Sequence, residues 1–164
     1  MPTIGEYAKQ PREDRMQRLA RAADELAAAL KNQTEVVLCR RPDAKNWAPK
    51  EIVCHFRDTE EVRAARMEQI LSMDTDPKII PADPDRWAME RQYLRHDVGE
   101  ALTAFRQRRV DTLQLFGKLT PAEWEKGAIH PTMGCLTLDT ILSVMAWHDD
   151  THLDQFARAV EGRA

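Results

Sequence analysis

Near its C-terminus the chain reads Ala146-Trp147-His148-Asp149-Asp150-Thr151-His152, two imidazoles four residues apart. On a helix, positions i and i+4 share a face one turn apart, so both rings can reach a single metal ion. Neutral imidazole is a good ligand for zinc, nickel, copper or ferrous iron. The spacing by itself is common on helix surfaces, and two core histidines that merely hydrogen-bond would look the same. A third imidazole, His55, lies on an earlier predicted helix that begins Trp47-Ala48-Pro49-Lys50-Glu51-Ile52. His55 is the other histidine expected on an apolar helix face. His96 opens a helix and His130 sits in a loop, and both are expected to be solvated. Three protein ligands with an open fourth position form the usual catalytic zinc arrangement. We therefore expect His55, His148 and His152 to share one divalent ion, zinc or nickel foremost. A di-iron centre would need Glu-x-x-His on two helices; Glu51 precedes His55 by four, and no Glu precedes His148 or His152 by three.

The elements that must position these residues are helices. Leu138, Ile141, Met145, His148, His152, Phe156 and Ala159 step by three and four, which predicts a helix from about Thr137 to Gly162 with both histidines on its apolar stripe. Pro49 at a first helical position, with Glu51 in the first turn, predicts a second helix to about Ser72. Its N-cap position holds Ala48, which offers no side-chain acceptor, and Asn46 is the candidate substitute. Leu19, Ala23, Leu26, Leu30 and Val37 predict a helix from Pro11 to Cys39. Leu102, Phe105, Leu113 and Phe116, with Arg109 on the same side, predict another from His96 to Phe116. Nothing predicts a sheet, because strand-forming residues never alternate. The expectation is one all-α domain over residues 1–164, a four-helix bundle.

The connection over residues 73–94 carries Pro77, Pro81 and Pro84. It exceeds the roughly 2–8 residues that antiparallel neighbours need. It can travel the length of the bundle, so helices two and three are expected to run parallel. Asp83-Pro84 reads as N-cap and first position of a short helix bearing Trp87. Thr120-Pro121-Ala122-Glu123 reads as a capping box opening another through Trp124. Gly127 and Gly134 bracket a loop with His130 and Pro131.

Asp58, three residues after His55, is a candidate to orient an imidazole or to pair with Arg109, whose inward position wants an anion. An inter-helix salt bridge is the plainer account of both. Asp149 and Asp150 point away from His148 on the helical wheel and are expected to be solvated or at a subunit interface. Cys54 and Cys135 are expected to be small packing residues, and Met67, Met73, Met133 and Met145 core filler. Trp47, Trp87, Trp124 and Trp147 could line an apolar pocket, although bulk alone explains them.

Composition excludes several classes. Hydrophobic residues at 43% and charged residues at 31% fit a globular chain rather than a disordered one. A net charge of −3, with Asp and Glu interleaved among the arginines, leaves no basic face for nucleic acid. Cys39, Cys54 and Cys135 have no paired framework, which points to reduced thiols. The start Met1-Pro2-Thr3-Ile4-Gly5-Glu6 has no leader pattern, and no apolar run reaches the ~18 residues of a membrane span. A cytoplasmic location without membrane partners is the expectation.

The run Trp47-Ala48-Pro49-Lys50-Glu51-Ile52-Val53-Cys54-His55-Phe56-Arg57-Asp58, with His148-x-x-x-His152 near the C-terminus, resembles the DinB/YfiT-like superfamily. The Trp87 connection, the Phe105–Arg109 region and the Trp124–Gly134 loop are similar too, so the resemblance spans nearly the whole chain. It departs at Ala48, where the family typically has Ser before the Pro. The resemblance implies a four-helix bundle of up-down-down-up order and places the family's metal triad on His55, His148 and His152. It also implies homodimers, and a transferase that activates a low-molecular-weight thiol cosubstrate at the metal toward a small-molecule substrate. A metal-dependent hydrolase using water would need the same ligands. A non-catalytic metal-binding or stress-response protein is the competing class. Beyond the ligands, no catalytic residue is assigned.

Overall fold

The computed structural model describes residues 2–164; Met1, the first residue of the stretch read as lacking a leader pattern, lies outside them. Thr3 and Glu6 form a capping box on a short first helix, α1 (Ile4–Tyr7). The long helix expected from Pro11 to Cys39 is two helices, α2 (Arg12–Leu30) and α3 (Glu35–Cys39). Asn32 breaks them apart by taking a left-handed conformation, φ 68°, which Asn tolerates better than most residues. The Thr34 side chain then accepts from the Val37 amide and restarts the helix.

The second main helix, α4 (Pro49–Ser72), has the predicted bounds. Ala48 cannot cap it, and Asn46 does not substitute, since its side chain donates to Asp43. Instead Glu51 reaches back to accept from the Ala48 amide at 2.9 Å. The Glu51 carboxylate is buried, and Arg41 answers its charge through Nε at 2.7 Å. The connection that follows contains α5 (Pro84–Glu90), capped by Asp83 as its sequence predicts, and a 3-10 turn over Tyr93–Arg95. Asp97 caps α6 (Val98–Phe116), which starts two residues later than expected. The predicted Thr120/Glu123 capping box opens α7 (Pro121–Trp124). Thr137 caps the final helix, α8 (Leu138–Val160).

The expectation of no sheet fails. The stretch predicted as a loop between Gly127 and Gly134 belongs to an antiparallel hairpin, β1 (Gly127–His130) and β2 (Gly134–Thr137). Four-residue strands are too short to display alternation, and glycine chemistry makes the pairing possible. A Cβ on Gly127 would stand 2.6 Å from the Leu136 carbonyl oxygen, and Gly134 turns at φ 73°. The long connection adds to this hairpin. Ile79 donates to the Ile129 carbonyl, and Ile129 donates to that of Pro77, each at 2.8 Å.

Two core clusters define the directions of the helices. One gathers Ala22 and Leu26 of α2, Ile52 and Phe56 of α4, Ala101 and Phe105 of α6, and Phe156 of α8. The other gathers Leu19, Met67 and Ile70, Phe116, and Leu138 to Met145 from the same four helices. The C-terminal part of α2 thus meets the N-terminal parts of α4 and α6 and the C-terminal part of α8. That is up-down-down-up, with α4 and α6 parallel and packed together, as the long connection implied. Both α2 and α4 pack on α6 and α8. Among the described residues, no helix is long and apolar enough to cross a membrane.

Candidate metal centre

His55 stands in the second turn of α4, and His148 and His152 stand one turn apart on α8, which packs against it. One ring nitrogen from each of the three lies within 4.8 Å of the others. The Nε2 atoms of His55 and His148 are 2.9 Å apart. Tetrahedral zinc with bonds of about 2.0–2.1 Å would hold ligand nitrogens roughly 3.3 Å apart, so the cluster has the dimensions of a metal site. The rings are packed by aromatic neighbours. Trp47 stacks on His152 at 6.1 Å and 14°, and Phe56 meets both α8 imidazoles edge-on.

The protonation chemistry also fits a cation. Burial pushes the His55 imidazole down to about 2 and His152 down to about 4, and drives His148 well below its ordinary value. All three rings are therefore neutral at pH 7 and keep a lone pair for a ligand. In His152, Nδ1 donates to the Gln155 side-chain oxygen at 2.7 Å, which leaves Nε2 as the free donor atom. Thr59 sits 3.2 Å from Nδ1 of His55. His148 Nδ1 is buried without a hydrogen-bond partner, 3.6 Å from the Asp149 carboxylate.

The triad opens into a cavity of about 300 Å³. Its other walls come from Thr59, Val62, Arg63 and Arg66 of α4, from Ile79, Pro81 and Trp87 of the long connection, and from His130 of the hairpin. His130 corrects the expectation of a solvated loop residue. Hairpin pairing turns it toward the cavity, and its Nδ1 accepts from the Thr132 and Met133 amides at 3.2 Å, so Nε2 carries the proton. His96 is likewise half-buried, bonded to Arg57 and to the Arg91 carbonyl. Of the tryptophans, Trp47 and Trp87 border the site, whereas Trp124 is core.

Asp58 and Arg109 do not pair with each other and Asp58 bonds none of the three imidazoles; both form salt bridges with other partners, the plainer of the two expectations. Asp58 accepts from Arg57 at 2.6 Å, from Tyr93 at 2.8 Å and from Arg91, so it ties α4 to the connection. Burial opposes its ionisation, but those hydrogen bonds outweigh it and hold its pKa below the usual value. Arg109 does find an anion, though a different one. It donates to Asp149 at 2.5 Å, to Glu60 at 2.8 Å and to the Leu19 carbonyl at 2.9 Å. Asp149, expected in solvent or at a subunit interface, is fully buried within the chain, because α2 and α4 pack on α8 and Arg109 reaches it from α6. The wheel placed it 100° from His148, but a helix in the middle of a bundle has more than one covered face. Asp150 accepts from Tyr7 and Arg18 and so is not free in solvent either. Cys54 packs as expected, its thiol pushed up to about 11 by burial. Cys135 is exposed on β2, and Met73 and Met133 are exposed as well, so these three are not core.

Three relationships bear on this arrangement. The solved structure of YfiT from Bacillus subtilis, described as "a probable metal-dependent hydrolase with an unusual four-helix bundle topology", superposes with a TM-score of 0.86. It shares 22% identity and covers 95% of this chain and 90% of its own, so the fold is that of YfiT. A protein of Oceanobacillus iheyensis named "Putative metal-dependent hydrolase OB0782" is 24% identical over 108 residues. The match takes in 65% of this chain and spans 61% of that relative's length. The profile described as DinB superfamily matches residues 18–156. With most of its length so matched and the YfiT topology in place, the chain belongs to the DinB superfamily.

Proposed function

We propose that this protein is a metal-dependent enzyme in which His55, His148 and His152 hold one divalent ion, zinc or nickel, beside the cavity. The observation that supports it is the convergence of three neutral imidazole nitrogens on one cavity wall. A divalent ion with only neutral ligands keeps its full charge, acts as a Lewis acid and lowers the pKa of a thiol or water in its open position. The chain's own residues supply the rest. Gln155 and Thr59 orient the ligand rings, Trp47 and Phe56 keep them from turning, and Ile79, Pro81 and Trp87 exclude water from the substrate.

Group transfer to a low-molecular-weight thiol is the reaction we assign to this site, in a homodimer as the family resemblance implies. Among the described residues no Asp or Glu lines the cavity, so water there would find no carboxylate base. A thiol, with an ordinary pKa near 8.5, needs less help to ionise. Hydrolysis is the second reading, favoured by the descriptions of YfiT and the O. iheyensis relative.

Metal analysis of untagged protein from metal-replete medium tests the first part. About one divalent ion per chain is expected, and His148→Ala should reduce this below about a tenth. An empty wild-type site would refute the metal reading. Cobalt-substituted protein titrated with small thiols tests the second part. A shifted visible spectrum supports thiol chemistry, and an unchanged one moves the assignment to hydrolysis.

A further inference from the structure

The cavity beside the triad carries two guanidinium groups that the metal reading does not use. Arg63 and Arg66 follow His55 by eight and eleven residues, close to two and three helical turns, and so lie on its face of α4. Helical side chains lean toward the N-terminus of their helix, which brings both guanidiniums back toward the histidines. Both line the cavity. Arg63 is half-buried yet forms no hydrogen bond or ion pair among the described residues. Glu60 and Asp149 act on it only through space: both Asp149 oxygens and Oε2 of Glu60 accept from Arg109, and the buried Oε1 of Glu60 forms no hydrogen bond to Arg63. Arg66 has one long contact, 3.4 Å to the Ile80 carbonyl. Burial brings the Arg63 pKa down only to about 10, so the group stays charged at pH 7.

A half-buried cation without a partner is costly unless something answers it. Elsewhere in this protein the buried arginines are answered: Arg15 by Asp139, Arg18 by Asp150, Arg109 by Asp149 and Glu60. In the cavity no carboxylate does so, and Arg63 with Arg66 makes its wall cationic. We propose that Arg63 and Arg66 form an oxyanion subsite, so that the substrate or cosubstrate taken by this site carries a carboxylate or phosphate held at the α4 wall while its reacting end faces the histidines. The fork geometry of guanidinium suits either group. The apolar surface of Ile79, Pro81 and Trp87 opposite then covers the body of the molecule.

The orientation toward the metal rests on the function proposed above, but the anion subsite does not, and calorimetric titrations separate them. Succinate and phenyl phosphate are titrated into wild type, Arg63→Met, Arg66→Met and the double variant, each metal-free and zinc-loaded. Wild type should bind at least one probe in both forms, and the probe that binds tells carboxylate from phosphate. Each single substitution should weaken binding about tenfold, from loss of one charge-assisted contact, and the double variant should show none in the metal-free form. Circular dichroism and zinc content should remain those of wild type. Arg63→Lys, which keeps charge without the fork, should fall between, and it serves if Arg63→Met does not fold. Failure of wild type to bind either probe, or unchanged binding by the metal-free double variant, overturns the subsite. Should the protein hold no zinc, the metal-free titrations still decide this inference.

Discussion

Arg109→Met isolates the buried charge cluster behind the metal site. Arg109 makes two hydrogen bonds to Asp149, one to Glu60 and one to a backbone carbonyl, all with side chains out of water. Methionine fills much of the same volume but leaves two carboxylates without their main counter-charge. Removing one partner of a buried ion pair costs about 3–5 kcal/mol. For a chain of this size that is a drop in Tm of about 6–20 °C. Burial already pushes the Asp149 carboxyl up, with Arg109 opposing that rise. Without Arg109, the folded Asp149 carboxylate gains affinity for protons relative to the unfolded chain. The variant's deficit relative to wild type should then shrink as pH falls, and be smaller at pH 5 than at pH 8. Urea unfolding at both pH values measures this. Glu60→Gln and Asp149→Asn added to Arg109→Met should recover about half of the loss, since the uncompensated charges are gone. A deficit below about 1 kcal/mol at pH 8, or one that grows toward pH 5, would refute the account.

Three other outcomes are expected. Gln155→Leu removes the acceptor that fixes the His152 tautomer and should weaken zinc binding about 10–100-fold in competition with a chelating dye; unchanged affinity would mean that Gln155 orients nothing. Metal-free protein should lose stability as pH falls from about 6.5 toward 4, because burial holds the folded histidines at about 2, about 4 and well below the ordinary value while unfolded ones titrate near 6.5. The slope should approach about 1.4 kcal/mol per pH unit for each histidine, and a Tm flat between pH 7.5 and 5.5 would contradict it. Glu51→Ala removes the reach-back to the Ala48 amide and should cost about 1 kcal/mol in thermal or urea unfolding; no measurable change would show that the α4 start needs no cap.

Periodicity located the helices because each long one keeps a single apolar stripe. It missed the break after Leu30 because a lone Asn in a left-handed turn leaves that stripe undisturbed. The hairpin was hidden for a different reason. Its strands owe their pairing to glycine at a close approach and to a neighbouring segment fifty residues earlier in the chain, neither of which alters local composition. The three histidines were legible because a polar ring at an apolar position stands out against its stripe. His130 was not, since it reaches the cavity through that same hairpin.

Arginines mislead in the opposite direction. Arg63, Arg66 and Arg109 all sit among the alternating charges that make a helix look solvated, and only Arg109 was marked by an apolar stripe. What separates them is the inventory of partners in three dimensions. Asp149 and Glu60 come from two helices to neutralise Arg109, which leaves Arg63 at the cavity wall with nothing comparable. The same two carboxylates thus do two things. They anchor the helix that carries His148 and His152, and by being committed there they leave the cavity wall cationic. A chain that needed only stability could have paired Arg63 as it paired Arg15 and Arg18. The unanswered charge lies beside the imidazoles, and a ligand with an oxyanion at one end is what would answer it.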